Sequence, residues 1–296
     1  MKNYDIVFLG HMAVDEVHHF GGEVTVNAGS AVLCGALAAA RVGRRVAVVT
    51  RMAPWDEQML NGLVASGVEV IPIPAKATTY MQVFHQSANM DERSIIQKAS
   101  AGFFHAAEVP SMSAGVVHLA GITDQEFDLA LMRNLRARGW RLSADMQGFV
   151  RQVQSGTGEV VFRDVPSKQE MAALLDYVKL DVVEAEILTG TRDLEPAARQ
   201  FAAWGAGEVL ITRADGVFAL VDGQPYFSPF SNRSVIGRTG RGDTTFGAYL
   251  AWRPGHTVQQ ALDFASALVS IKMESIGPFN GKLEDVLQRM QAVAGK

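Results

Sequence analysis

Short apolar, β-branched runs alternate along this chain with longer stretches whose apolar positions recur every three or four residues. Asp5–Leu9, Arg45–Thr50, Val116–Ala120, Arg141–Ala144, Leu180–Val183 and Glu208–Thr212 are short and nearly continuous in apolar residues, the mark of strands buried on both faces. Between them Phe127, Ala130, Leu131 and Leu135 hold helical spacing, and so do Ala261, Phe264, Ala265 and Leu268. The pattern predicts an α/β fold: a doubly wound, mostly parallel sheet with helices on both faces. Two segments, 14–27 and 70–98, break the alternation. In the second, Thr78–Phe84 and Arg93–Gln97 read as strands joined by a polar turn at Ala88–Asp91. Both segments are too rich in β-formers for crossover helices, so they predict a small β-sheet lid inserted in a single domain of residues 1–296. A lid so placed covers the carboxyl ends of the parallel strands, where open α/β sheets bind ligands.

Composition narrows the partner. With 27 Lys and Arg against 31 Asp and Glu, the net charge is -4 and neither sign forms a long block. That excludes a general grip on nucleic acid or anionic lipid and leaves small molecules or a second copy of the chain. The single cysteine, Cys34, cannot close an intrachain disulfide, and the apolar run around it is far shorter than a membrane span. The N-terminus enters Ile6-Val7-Phe8-Leu9 without a leader-like segment, so the expected location is the cytoplasm.

The segment richest in chemistry is Gly237-Arg238-Thr239-Gly240-Arg241-Gly242-Asp243, a glycine-spaced turn that runs into the helix-compatible stretch Thr244–Trp252. Glycines let backbone N–H groups converge, and a helix start adds unpaired donors and a positive dipole end. The expected result is an anion hole built from the backbone of Gly240, Arg241 and Gly242, with the Asp243 carboxylate beside it. A carboxylate next to a bound phosphate repels it, which is a poor binding device but suits a general base for a hydroxyl attacking that phosphate. A plain surface turn capped by an Asp is the competing explanation. No G-x-x-x-x-G-K-[ST] loop occurs, and position 245 is Thr where a dinucleotide fingerprint needs Gly or Ala, which argues against an oxidoreductase.

Here the sequence resembles the ribokinase-like (pfkB) sugar and nucleoside kinases, and the resemblance spans nearly the whole chain. Thr239-Gly240-x-Gly242-Asp243 looks like the family signature. Gly10-x-x-x-x-Asp15 is similar to the family's opening, and Ala28-Gly29-Ser30-Ala31 to its substrate loop. Asp181-x-x-Glu184 is similar to its N-x-x-E segment, and Val209–Thr212 with Gly216 to the strand and loop bordering the nucleotide. The resemblance implies transfer of the γ-phosphate of ATP, with Mg2+, to an alcohol group of a sugar, an inositol-like polyol or a nucleoside. It implies Asp243 as base, Asp15, Gly29 and Ser30 at the acceptor, Thr212, Gly216 and Thr239 at the nucleotide, and Glu184 organising magnesium through water, with Asp181 beside it. The chain departs from the family at Gly237, where an Asp is usual, at Arg241 in place of a small residue, at Asp181 in place of Asn, and at Ser30 in place of Gly. These departures keep open an alternative: a catalytically silent nucleotide or sugar sensor on the same fold.

Arg151, in the loop Asp145–Arg151 after a strand, is expected to hold a substrate hydroxyl or phosphate through its planar fork, or else to pair with Asp145. Thr78, Tyr80 and Gln82 share one strand face, as substrate contacts or as solvent-side polar residues. His11, His18, His19, His85, His105 and His118 read as core or surface residues rather than metal ligands, and Cys34 as a packing residue. Exposed lid edges predict a homodimer formed lid to lid.

Overall fold

The computed structural model describes residues 2–87 and 92–294, so the expected turn at Ala88–Asp91 lies outside the described residues. In chain order the strands are β1 (Asn3–Leu9), β2 (Ala13–His18), β3 (Val24–Gly29), β4 (Val46–Met52), β5 (Glu69–Pro74), β6 (Thr79–His85), β7 (Arg93–Ala99), β8 (Ser113–Leu119), β9 (Leu142–Asp145), β10 (Arg151–Val153), β11 (Val160–Phe162), β12 (Tyr177–Asp181), β13 (Glu208–Thr212), β14 (Gly216–Val221) and β15 (Gln224–Pro229). The helices are α1 (Ala31–Arg41), α2 (Asn61–Ala65), α3 (Leu129–Ala137), α4 (Gln147–Val150), α5 (Lys168–Ala173), α6 (Val182–Thr189), α7 (Leu194–Ala203), α8 (Arg241–Trp252), α9 (Val258–Met273) and α10 (Leu283–Ala294).

Nine strands form the main sheet in the order β15-β14-β13-β12-β9-β8-β1-β4-β5, parallel from β13 to β5. The β13-β14-β15 end is antiparallel. The period-two geometry of β1 divides its apolar run between two cores. Ile6 and Phe8 face the layer of α1, α8 and α9, while Val7 and Leu9 face the layer of α3 and α7. Both sides are apolar, which is why these strands read as continuous hydrophobic runs.

The small sheet has the order β3-β2-β6-β7. Its outer pairs are antiparallel, whereas β2 and β6 run parallel, so two hairpins from distant parts of the chain are joined side by side. The boundary expected at residue 70 is corrected: β5 pairs with β4 at the edge of the main sheet. Pro72 and Pro74 make it an edge strand, since proline cannot donate to a further neighbour. The hairpin β10–β11, which the sequence pattern did not predict, touches β7 through the Gln97 N–H to Gly158 O bond of 2.7 Å. The strand expected at Leu180–Val183 is also corrected. It ends at Asp181, because Asp181 and Glu184 cap α6 reciprocally and start a helix at Val182.

Candidate active site

The carboxyl ends of β1, β9, β12 and β13 and the N-terminus of α8 meet beneath the small sheet. Gly240 caps α8 at φ 76°, a left-handed conformation that favours glycine, and a Cβ there would come within 2.4 Å of Cys34 Sγ. Burial pushes the Cys34 thiol up to about 12, and the Asp243 charge adds to the shift, so Cys34 is a packing residue. Arg241, Gly242 and Asp243 form the first turn of α8. The Arg241 N–H already donates to Arg238 O at 3.1 Å, and the Thr244 N–H to Gly240 O at 3.0 Å. Among the described residues no protein acceptor takes the amides of Gly242 and Asp243. Of the donors expected at Gly240, Arg241 and Gly242, the Arg241 N–H is thus already engaged within the turn, and the Asp243 N–H joins the open amides. Thr244 Oγ1, fully buried, also lacks a partner among the described residues.

Asp243 is held by helix packing. The backbones of α1 and α8 touch at Gly35 and Gly247, where a Cβ on Gly247 would lie 2.5 Å from Gly35 O. In the small sheet Asp15, in β2, presses its carboxylate against Gly29 of β3, where a Cβ would lie 1.9 Å from Oδ2. Burial raises the Asp15 pKa to about 6 against the pull of Arg151 and Arg93, with the Asp243 charge adding to the rise. Arg151 also acts on Glu184, its guanidinium lies 5.6 Å from the Phe162 ring, and its buried Nε has no partner among the described residues. Asp15, Arg151, Glu184 and Asp243 thus belong to one electrostatic cluster.

The Ser30 hydroxyl, expected at the acceptor, is engaged within the protein. Its Oγ accepts the Leu33 N–H at 3.1 Å, capping α1. Its backbone, at φ 155° and ψ 163°, occupies a region natural only to glycine and costs about 1–3 kcal/mol. That conformation accounts for the glycine usual at this position in the kinases the chain resembles. Gly216 likewise has a packing reason, since a Cβ would meet the Phe227 ring at 2.5 Å. Thr212 is buried beside Gly242, and Thr239 turns its carbonyl toward Lys272.

The sequence reading missed Lys179. It lies 3% exposed in β12, with Nζ 3.0 Å from Asp145 Oδ2 and 3.7 Å from Glu184 Oε2. A Cβ on Gly242 would lie 3.0 Å from the same Nζ, so the ammonium sits directly under the α8 terminus. Burial alone would favour neutral lysine. The charges of Asp145, Glu184, Asp181 and Asp243 outweigh it and hold the pKa above the ordinary value. Asp145, which the sequence also offered as a partner for Arg151, pairs with Lys179. The available signal was a lysine inside the strand Tyr177-Val178-Lys179-Leu180, a residue rarely buried without a partner.

Two buried carboxylates for one ammonium leave excess negative charge, and burial raises the pKa of both Asp145 and Glu184. Glu184 Oε2 accepts the Asp181 N–H at 2.7 Å, while Oε1 is buried without a hydrogen-bond partner among the described residues. That orphan oxygen and the excess charge fit a hydrated divalent cation. Asp181 commits Oδ1 to capping the Glu184 amide at 2.8 Å. Among the described residues no three acidic, histidine or cysteine side chains converge as a direct metal cage, so water and the phosphate donor would complete the shell.

Tyr80 and Gln82 bond to Glu16 on the sheet face away from Asp15. Thr78 Oγ1 donates to Asp56 at 2.6 Å. His11 bonds Gly102 O at 2.9 Å and Thr79 Oγ1 at 2.8 Å, and His118 lies 3.0 Å from Ser143 Oγ, so both tie the core together. Two surface cavities of about 380 and 190 Å³ are lined by residues around Arg289 and Arg44, and Asp243 lines neither. The convergence of charge and open amides is what marks the site.

The family model for pfkB carbohydrate kinases matches residues 3–285. The chain belongs to the pfkB family of carbohydrate kinases. Among relatives of this pfkB kinase, a cytidine kinase of Thermococcus kodakarensis is 26% identical over 263 residues, covering 83% of this chain and 87% of its own. A pyrophosphate-dependent kinase of the ribokinase family, complexed with a pyrophosphate analogue and myo-inositol, is 30% identical and superposes with a TM-score of 0.85 over 96% of this chain and 99% of that one. A sulfate complex of a pyrophosphate-dependent kinase of the same family is 32% identical, with a TM-score of 0.88 over 95% and 99% of the two chains. The main sheet with helices on both sides and the small sheet are thus those of ribokinase-fold kinases.

Proposed function

We propose that this kinase transfers a phosphoryl group from a phosphoanhydride donor to a hydroxyl of a neutral polyol of inositol-like size. The observation that carries this is the meeting of the open α8 amides, the Asp243 carboxylate and the Asp15–Arg151 pair in one cleft. In the proposed reaction Asp15 and Arg151 orient the acceptor hydroxyls. Asp243 takes the proton of the attacking hydroxyl as its oxygen bonds to phosphorus, and the leaving phosphate departs with the electrons of the broken anhydride P–O bond. The amides of Gly242 and Asp243, with Lys179 beneath them, hold the migrating group. Glu184 would hold magnesium through water, and a bound ion would supply charge neutralisation to the donor. The small sheet acts as a lid that excludes water from the cleft.

Pyrophosphate is the favoured donor, on the likeness to two pyrophosphate-dependent kinases at 30% and 32% identity. ATP, expected from the family resemblance, is the second reading, and the cytidine kinase likeness favours a nucleoside acceptor with it. A panel of inositols, sugars and nucleosides, each with pyrophosphate or ATP and Mg2+, decides between them by phosphate or ADP release. Turnover of an inositol with pyrophosphate supports the proposal. A protein that binds these ligands tightly and turns over none of them is the sensor instead.

The acceptor side has its own pH signature. Ionised Asp15 accepts hydroxyl hydrogens on both oxygens, and the protonated group has lost part of that capacity. Since its pKa stands at about 6, acceptor KM is expected to rise as pH falls through that value, with donor KM following a different profile. Steady-state kinetics in both substrates check this, and Asp15→Asn should remove the inflection. An inflection unchanged in Asp15→Asn would exclude the assignment.

A further inference from the structure

Lys272 is the second buried lysine near the cleft, and its chemistry differs from that of Lys179. It lies in the last turn of α9 with 1% exposure, and its Nζ donates to the carbonyl oxygens of Gly237 and Thr239. Both carbonyls belong to the turn that leads into Gly240 and the open amides. The same turn is tied to the end of α9 by the Gly237 N–H to Met273 O bond of 2.9 Å. It is packed so closely there that a Cβ on residue 237 would lie 1.6 Å from Ser275 O. No side chain of the motif turn can take part at that position, so the main-chain oxygens meet a positive charge supplied from another helix. Burial lowers the Lys272 pKa from the ordinary lysine range while the Cys34 and Asp243 charges oppose the fall, so the ammonium is within electrostatic range of Asp243.

An ammonium held by main-chain oxygens reproduces the charge, size and ligand chemistry of a free monovalent cation such as NH4+ or K+. We propose that Lys272 is a tethered monovalent cation. It fixes the Gly237 and Thr239 carbonyls, and with them the direction of the amides that follow, and it adds its charge behind the bound phosphate. Lys272 is therefore a positioning residue, and phosphoryl transfer needs no exchangeable monovalent cation. The inference rests on the proposed phosphoryl transfer for its catalytic part and on the loop geometry alone for its structural part.

The test compares the full-length wild type with Lys272→Met and Lys272→Gln at constant ionic strength, replacing choline chloride by KCl or NH4Cl. Wild-type turnover and thermal midpoint should not respond. Each variant should lose on the order of 10² in turnover in choline, the scale of a lost anion-site donor, and regain about tenfold or more in NH4+ or K+. The thermal midpoint of the variants, unlike that of wild type, should rise in the same ions. A wild type activated several-fold by K+ overturns the proposal even if neither variant folds. Folded variants whose turnover and midpoint ignore the cation overturn it too. If no donor and acceptor pair turns over, the kinase reading fails, while the midpoint response still decides the role of Lys272.

Discussion

Asp243→Asn is expected to lower turnover by about 10²–10⁴, the usual effect of removing a positioned general base. Asn matches Asp in size, so the α8 start and the Gly35–Gly247 backbone contact that aim residue 243 should persist. The thermal midpoint should stay close to wild type. Donor affinity by calorimetry should hold or improve, because a carboxylate no longer repels the incoming anion. A second consequence follows from the coupling between the two acids. Asp243 is one cause of the raised Asp15 pKa, so in Asp243→Asn the pKa of Asp15, followed by NMR titration, should fall from about 6 toward the ordinary carboxylate range. An Asp243→Asn enzyme with wild-type turnover would falsify the base assignment.

Lys179→Met should be the most costly substitution for stability. It removes the ammonium within 3.0 Å of Asp145 and leaves two buried carboxylates facing each other. Breaking a buried pair in this way costs about 3–5 kcal/mol, measured by denaturant unfolding. Lys179 also has a role toward the donor. Its Nζ lies under the start of α8, where the helix end is also positive. That arrangement supports a bound phosphate contacting Lys179 Nζ and the α8 amides together. A charge-assisted bond of this kind contributes about 1.5–3 kcal/mol, or roughly 10–150-fold in donor KM, with acceptor KM little changed. Pairing Lys179→Met with Asp145→Asn separates the two effects. The double variant restores the net charge of the wild-type cluster and should recover part of the stability without recovering donor affinity. A double variant with wild-type donor KM would restrict Lys179 to a structural role.

The glycine turn before Asp243 was legible along the chain because its chemistry is local. A positive φ at Gly240 and amides without i−4 partners at a helix start are properties of consecutive residues. The membership of Asp15 and Glu184 was legible only through the spacing they share with a known family. Nothing in their immediate neighbours announces a common cleft. Lys179 and Lys272 escaped because each sits in an apolar element and its partners lie far away in sequence, 34 residues for Asp145 and 35 for Gly237. The capping role of Ser30 was hidden for the opposite reason. Its loop position suggested a ligand, while its hydroxyl was already used by the amide three residues on.

By itself the chain's hydrophobic period determined the layered α/β architecture, because strands and helices must each bury an apolar face and the repeat states which faces exist. The sequence also determined the turn before α8, whose backbone geometry is set by closely spaced glycines. Tertiary structure alone decided that β5 joins the main sheet, that β2 pairs parallel with β6, and that Asp15, Arg151, Lys179, Glu184 and Asp243 act on one another. Strand pairing and electrostatic coupling depend on distance in space, and residues far apart in sequence come within range only once the chain has closed around its two cores.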